Sequence, residues 1–331
     1  MSGRATFRGN SIKANDDTAL HHGAAIYNKG SVRLRGGASF LDNSVFPFQG
    51  EEEDGGGGAG AGDGGAVWNG PQGTLVVDQA ADLEGNGVGA GGSGGGLWNA
   101  GYVRFMDVVH FSQNEVRLFY FMPGGGGYGG GVFNSGGTVR FRRPVTFSDN
   151  TAQAGSAFVN SGGGKMVTQQ ELVINDNVSK EEKGSEAGAV WNQADSVLLC
   201  KDSALWQGNR GYNGGAMVNY GKVVFRGELM VRDNSAVLDG GGFINESGAK
   251  IVFYDGAEFI ANEGTGYGGA ILNHAELDFI ADSGVPFKLN FEDNYCGEEE
   301  CQDIQNKDGS DVSGLRDVHD LCGIGTQYVS G

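Results

Sequence analysis

Six side chains, Asp107, His110, Arg142, Arg143, Asp149 and Glu171, are of the types that cleave or isomerise polysaccharides. That chemistry needs paired carboxylates, or a base beside a charge-neutralising Arg or Lys, converging on one groove. Their setting argues for a plainer role. Arg142 and Arg143 follow a strand of a regular repeat, Asp149 belongs to a turn motif, and the five histidines recur at no shared site. We therefore expect no catalytic residue and no cofactor, with a polysaccharide lyase, epimerase or hydrolase as the alternative.

A second set is aromatic. Tyr27, Trp68, Trp98, Phe133 and Trp191 occupy one position of a recurring glycine-rich motif, in a row continued by Val159, Val218, Ile244 and Leu272. Facing outward, these would be binding residues able to stack on sugar rings; facing inward or under loops, they would be packing. The preceding position (Ile26, Val67, Leu97, Val132) is equally apolar, so the pattern leaves the choice open. Phe119, Tyr120 and Phe121 lie in an unusually apolar insertion, Arg117 to Pro123, which is either a contact patch for a partner or packing against the frame.

Acidic clusters at Glu51–Asp54, Glu181–Glu182 and Glu298–Glu300 lack the regular spacing of a calcium site, and no metal is expected. Cys296 and Cys301 are candidates for a disulfide in an oxidising compartment, whereas Cys200 ends an apolar strand and reads as a small buried hydrophobe. Asn177-Val178-Ser179 and Asn245-Glu246-Ser247 match the glycosylation sequon, but both asparagines hold repeat positions whose amides should be used internally.

The net charge of −18, from 23 basic and 41 acidic residues, would repel a phosphate backbone, and the arginines alternate singly along strands instead of clustering. No nucleic-acid partner is expected. No apolar run approaches the roughly 18 residues that span a bilayer, so no transmembrane segment is expected in this chain. Sixty-three glycines against five prolines, without a three-residue period, exclude collagen.

The elements that must position these groups come from a repeat. An opening half-unit of small residues, two apolar residues and Asn ends at Asn28, Asn69, Asn99, Asn134, Asn160, Asn192, Asn219, Asn245 and Asn273. A closing half-unit of the FxxN type follows each, ending at Asn43, Asn86, Asn114, Asn150, Asn177, Asn209, Asn234, Asn262 and Asn294. The two asparagines stand 15 to 17 residues apart in eight copies and 21 apart in the last, while insertions as long as Ser44–Gly62 separate one copy from the next. Between them the pattern has period two, as in Val103-Arg104-Phe105 and Val139-Arg140-Phe141, which is a strand signal.

Three short strands per unit, in units mostly of 26 to 35 residues, argue for an all-β, right-handed parallel β-helix with insertions on one side. Asparagines recurring at a corner would stack at about the 4.8 Å strand spacing and bond to turn backbone and to one another, forming Asn ladders. The expectation is nine full coils plus a leading half over residues 1–294, then an acidic, cysteine-bearing cap or tail over 295–331.

The alternating GGA[ILV] and FxxN motifs, over roughly residues 5 to 294, resemble the polymorphic membrane protein repeat of chlamydial-type surface autotransporters. The resemblance implies a β-helix at a cell surface or secreted, with adhesion or another surface interaction as its role. A surface protein or a polysaccharide would be the partner. Phe7-Arg8-Gly9-Asn10 already reads as a closing half-unit, and the start lacks an apolar signal core, so an interior piece of a longer chain is expected. Unpaired coil ends also allow end-to-end self-association.

Overall fold

A computed structural model of the chain describes residues 3–13, 21–46, 62–89, 91–117, 127–180, 187–280, 287–297, 303–306 and 311–313. The chain winds as a parallel β-solenoid. Each full coil contributes one strand to each of four sheets, and each sheet holds ten parallel strands in register. Sheet 1 contains the glycine half-unit strands (Ile26–Asn28, Val67–Asn69, Leu97–Asn99 and their successors), and sheet 2 the strands after the first Asn (Ser31–Leu34, Thr74–Val77, Tyr102–Phe105 onward). Sheet 3 holds the strands leading into FxxN (Ala5–Arg8, Ala38–Leu41, Ala81–Glu84 onward). Sheet 4 holds the strands directly after it, such as Gly87–Val88 and Glu115–Val116.

Three strands per unit was thus one too few. The fourth is two residues long in most coils, too short to show a period. The coil count also differs: Tyr295–Cys296 is the tenth strand of sheet 4, and Ile304–Asn306 and Asp311–Ser313 are the tenth strands of sheets 1 and 2. A trailing half-coil therefore lies beyond Asn294, in the stretch read as cap or tail.

Alternation fills the interior. In Tyr102–Phe105 and Thr138–Phe141, Val103, Phe105, Val139 and Phe141 point inward and are at most 2% exposed. In-register pairing then stacks like on like, with Phe105 on Phe141 at 5.5 Å, Phe111 on Phe147 at 4.8 Å and Phe253 on Phe279 at 4.9 Å between ring centroids. Each buried ring stabilises the fold by roughly 1.5–3 kcal/mol. Cys200 lies in this core as read, and burial pushes its thiol up to about 12.

The asparagines form two ladders. From Asn28 to Asn306, each Nδ2 donates to the Oδ1 of the next coil's Asn at 2.6–3.0 Å. From Asn10 to Asn294 the same link recurs at 2.7–3.0 Å. All amides of a ladder point one way. Asn10 and Asn306 extend the ladders beyond the eighteen positions read from the motifs. Asn177 and Asn245 are fully buried ladder members, so their sequons present no free amide.

Candidate functional site

The length variation of the repeat enters mainly at one corner, between the last residue of a sheet 4 strand and the first of the next sheet 1 strand. Residues 14–20, 47–61, 118–126 and 181–186 all fall there; 281–286, between sheets 2 and 3, is the exception. The acidic clusters at 51–54, 181–182 and 298–300, the aromatic insertion Phe119-Tyr120-Phe121, and Cys301 lie outside the described residues. Cys296 is disulfide-bonded. Among the described residues no group of three metal-ligating side chains occurs, and no helix is long and apolar enough to cross a membrane.

Beside that corner runs the aromatic row, and the structure settles its direction. Val67, Leu97 and Val132 pack in the main core, while the neighbouring ring positions point out of it on the far side of sheet 1. The row has two halves. Val159, Trp191, Val218, Ile244 and Leu272 form a second buried cluster with Ala154 and Ala187, against which Tyr128, Phe133 and Tyr220 pack. Toward the N-terminal end, Tyr27 is 50% exposed, Trp68 8%, and Trp98 half-buried.

These three rings stack on one another: Tyr27 on Trp68 at 4.5 Å and 13°, Trp68 on Trp98 at 5.1 Å and 3°. His22 adds a fourth ring, 5.2 Å from Trp68, and Lys29 Nζ stands 5.1 Å from the Tyr27 ring centre. The turn helps. A Cβ at Gly70 would lie 2.5 Å from Trp68 Cη2, so only glycine lets the indole lie against the backbone there. In-register parallel strands thus cover ring faces with ring faces, and the column presents mainly edges. A sugar stacks on a face, so the platform expected of outward rings is largely used up internally.

Next to the column lies Asp63, a polar group that no motif marks. Its backbone N–H donates to His22 Nδ1 at 3.0 Å, its Oδ1 accepts the Ser93 N–H at 2.9 Å, and its Oδ2 lies 3.7 Å from His22 Nδ1. Burial pushes the Asp63 carboxyl up to about 6, against the opposing pull of the Ser93 N–H. Burial, then the nearby His21 and Lys29, hold His22 below the usual imidazole range. Among the described residues, the Trp68 indole N–H and His21 Nε2 are buried without a partner.

The six polysaccharide-chemistry candidates do not all share one place. His110 projects from the middle of sheet 3 and Asp149 from the turn before Asn150, both exposed. Asp107, Arg142, Arg143 and Glu171 lie along the corner between sheets 2 and 3, where Arg142 donates to Gln169 Oε1 at 3.0 Å. What the sequence hides is a row across coils. Arg104 and Arg140, each alone in its strand, are in-register neighbours on the outer face of sheet 2.

Compared with known proteins, the chain matches no family model, no curated protein and no solved structure.

Proposed function

We propose that this chain is a non-catalytic scaffold, displayed at a cell surface or secreted, whose insertion loops make the contacts. The role is the one implied by its resemblance to the polymorphic membrane protein repeat. The observation that carries it is the gathering of most of the long insertions at one corner of a frame whose strands repeat in register. A rigid scaffold that varies only where loops leave it is the arrangement expected of a binding surface.

The test shortens the largest insertion, replacing residues 47–61 with the tight connection that follows Val88. Beads coated with the parent protein should adhere to epithelial monolayers, and beads with the shortened protein should lose that adhesion while their melting temperature stays the same. An array of acidic and neutral polysaccharides should show no new unsaturated or reducing ends. The polysaccharide-active alternative rests on Asp63, a carboxyl near 6 that suits a general acid. Turnover that disappears in Asp63→Asn would replace the scaffold reading.

A further inference from the structure

The outer face of sheet 2 is cationic in an acidic protein. Its first eight strands hold six Lys or Arg and no Asp or Glu, in a chain with 41 acidic and 23 basic residues. Alternation points all six outward: Arg33, Arg104 and Arg140 in one row, Lys165, Lys222 and Lys250 in the adjacent one.

The two ends of this face are neutralised. Arg33 is held by Asp78 through two bonds of 2.8 and 3.0 Å, and Lys250 by Glu276 and by Asp278 at 2.6 Å. The middle is not: Arg104, Arg140 and Lys165 take part in no ion pair among the described residues, and Arg104 Nε is buried without an acceptor. Arg104 stands directly across from Arg140, and Lys165 across from Thr138 on the next strand. Like charges on in-register neighbours are destabilising. The chain has spare carboxylates, yet none of its eight early sheet 2 strands carries one to relieve the repulsion. Arg142 and Arg143, both exposed, prolong the basic patch over the corner.

The floor around the cations is mixed, with Val76 and Val167 in the arginine row and the hydroxyl-bearing Tyr102 and Thr138 in the lysine row. A four-residue strand is about 13 Å long, so the face admits a thin, extended ligand lying along the solenoid axis. Wider polyanions meet opposition, because Glu84 and Asp107, in no ion pair among the described residues, border the same coils and the whole molecule is acidic. Guanidinium groups recognise carboxylate and sulfate oxygens in pairs, and hydroxyl side chains suit a polyhydroxylated chain.

We propose that the outer face of sheet 2, from Tyr102 to Lys165, binds a carboxylated or sulfated polysaccharide through Arg104, Arg140 and Lys165. This site is separate from the loop corner, so the loop-shortened protein keeps it and the two readings fail separately.

The experiment measures retention of the whole chain on immobilised polygalacturonate and heparin, with dextran, oligo-dT and polyglutamate as comparators. Retention on one or both acidic polysaccharides, weakening as NaCl is raised, is expected, and the stronger of the two tells carboxylate from sulfate. Arg104→Gln with Arg140→Gln should weaken that binding at least tenfold while leaving the melting temperature equal or higher. Should that variant not fold, Lys165→Gln, at an exposed position, should weaken binding about threefold. Unchanged binding in the variant that folds overturns the proposal. So does tighter binding to oligo-dT or polyglutamate than to either polysaccharide, and so does no retention at 50 mM NaCl.

Discussion

The two asparagine corners do the same job with different tolerance. At the Asn28 corner, between sheets 1 and 2, the next strand begins three residues after Asn99 or Asn219, four after Asn134 and five after Asn69, Asn160 or Asn192. At the Asn43 corner, between sheets 3 and 4, the next strand begins on the very next residue in every coil, from Ser11 to Tyr295. Bonding explains the contrast. From Asn43 onward, each Asn of the second ladder uses all its side-chain valences. Nδ2 donates to the next Asn and to a backbone carbonyl one coil back, for Asn150 the Phe111 carbonyl at 2.9 Å. Oδ1 accepts both the side-chain and the backbone N–H of the Asn before it, as Asn150 does from Asn114. In the first ladder a turn N–H reaches Oδ1 only at Asn28, Asn99, Asn219 and Asn273 among the described residues. The second ladder fixes the winding, and the first absorbs variation in turn length.

The largest expected effect follows directly. Asn150→Ala strands two donors of Asn114 and the Phe111 carbonyl inside the fold and should cost about 4 kcal/mol, whereas Asn134→Ala, in the same coil, should cost about 2–3 kcal/mol. Urea denaturation of the two variants decides it, and an equal or larger loss for Asn134→Ala would break the comparison.

Turn length gives the next test. One glycine inserted between Gly221 and Lys222 lengthens a turn to a length seen in other coils and should cost under about 1 kcal/mol. The same insertion between Asn234 and Ser235 shifts strand register against a fixed ladder and should cost about 3 kcal/mol, because a one-residue slip turns every side chain to the other face. Equal melting temperatures for the two insertions would mean that neither corner sets the winding.

A smaller effect sharpens the reason for the second corner's rigidity. The residue before each of its asparagines is left-handed in all ten coils, with φ between 52° and 66°. Gly9, Gly85 and Gly208 suit this, and Asp or Gln fills it six times, but Ala261 sits there at φ 52° with no compensating side-chain bond. Ala261→Gly should therefore stabilise by about 1 kcal/mol, read as a higher urea midpoint; a loss would mean the alanine methyl contributes packing that outweighs its strain.

Much of this frame was legible in the sequence, because a solenoid repeats its local chemistry and the Asn-bearing motifs recur at nearly fixed spacing. What was not legible depends on relations between coils. Two-residue strands such as Gly87–Val88 show no period. Asn306 follows Ile304-Gln305 without the glycines that mark its nine counterparts. The ring row could not be assigned to a face while both neighbouring positions were apolar, and its stacking came only from register. Arg104 and Arg140, 36 residues apart in the chain, look solitary until parallel pairing sets them side by side. The placement of Asp63 against His22 likewise joins two coils across an insertion.

The smallest effect concerns how each ladder stops. Among the described residues, the first ends on an amide, Asn306, and the second on a carboxylate, Asp303, which accepts the Asn294 Nδ2 hydrogen at 3.0 Å. A column of aligned amides presents a donor at this end, and a carboxylate answers it. Burial nevertheless pushes the Asp303 carboxyl above the usual range, with the Asn294 N–H pulling it back. A raised folded pKa means that the native state keeps its proton to higher pH than the unfolded chain, so this group adds stability as pH falls through the folded value and opposes folding when charged. Asp303→Asn retains an acceptor oxygen without the charge. It should raise the unfolding free energy slightly at pH 7, by less than about 1 kcal/mol, read as a higher urea midpoint, with the difference from the parent vanishing by about pH 3.5. The Asn306 end should show no such pH-dependent difference when Asn306→Ala is compared with the parent. A destabilised Asp303→Asn at pH 7 would show that the aligned amides need a full negative charge at their end, and would make the termination of the second ladder, like its winding, the more demanding of the two.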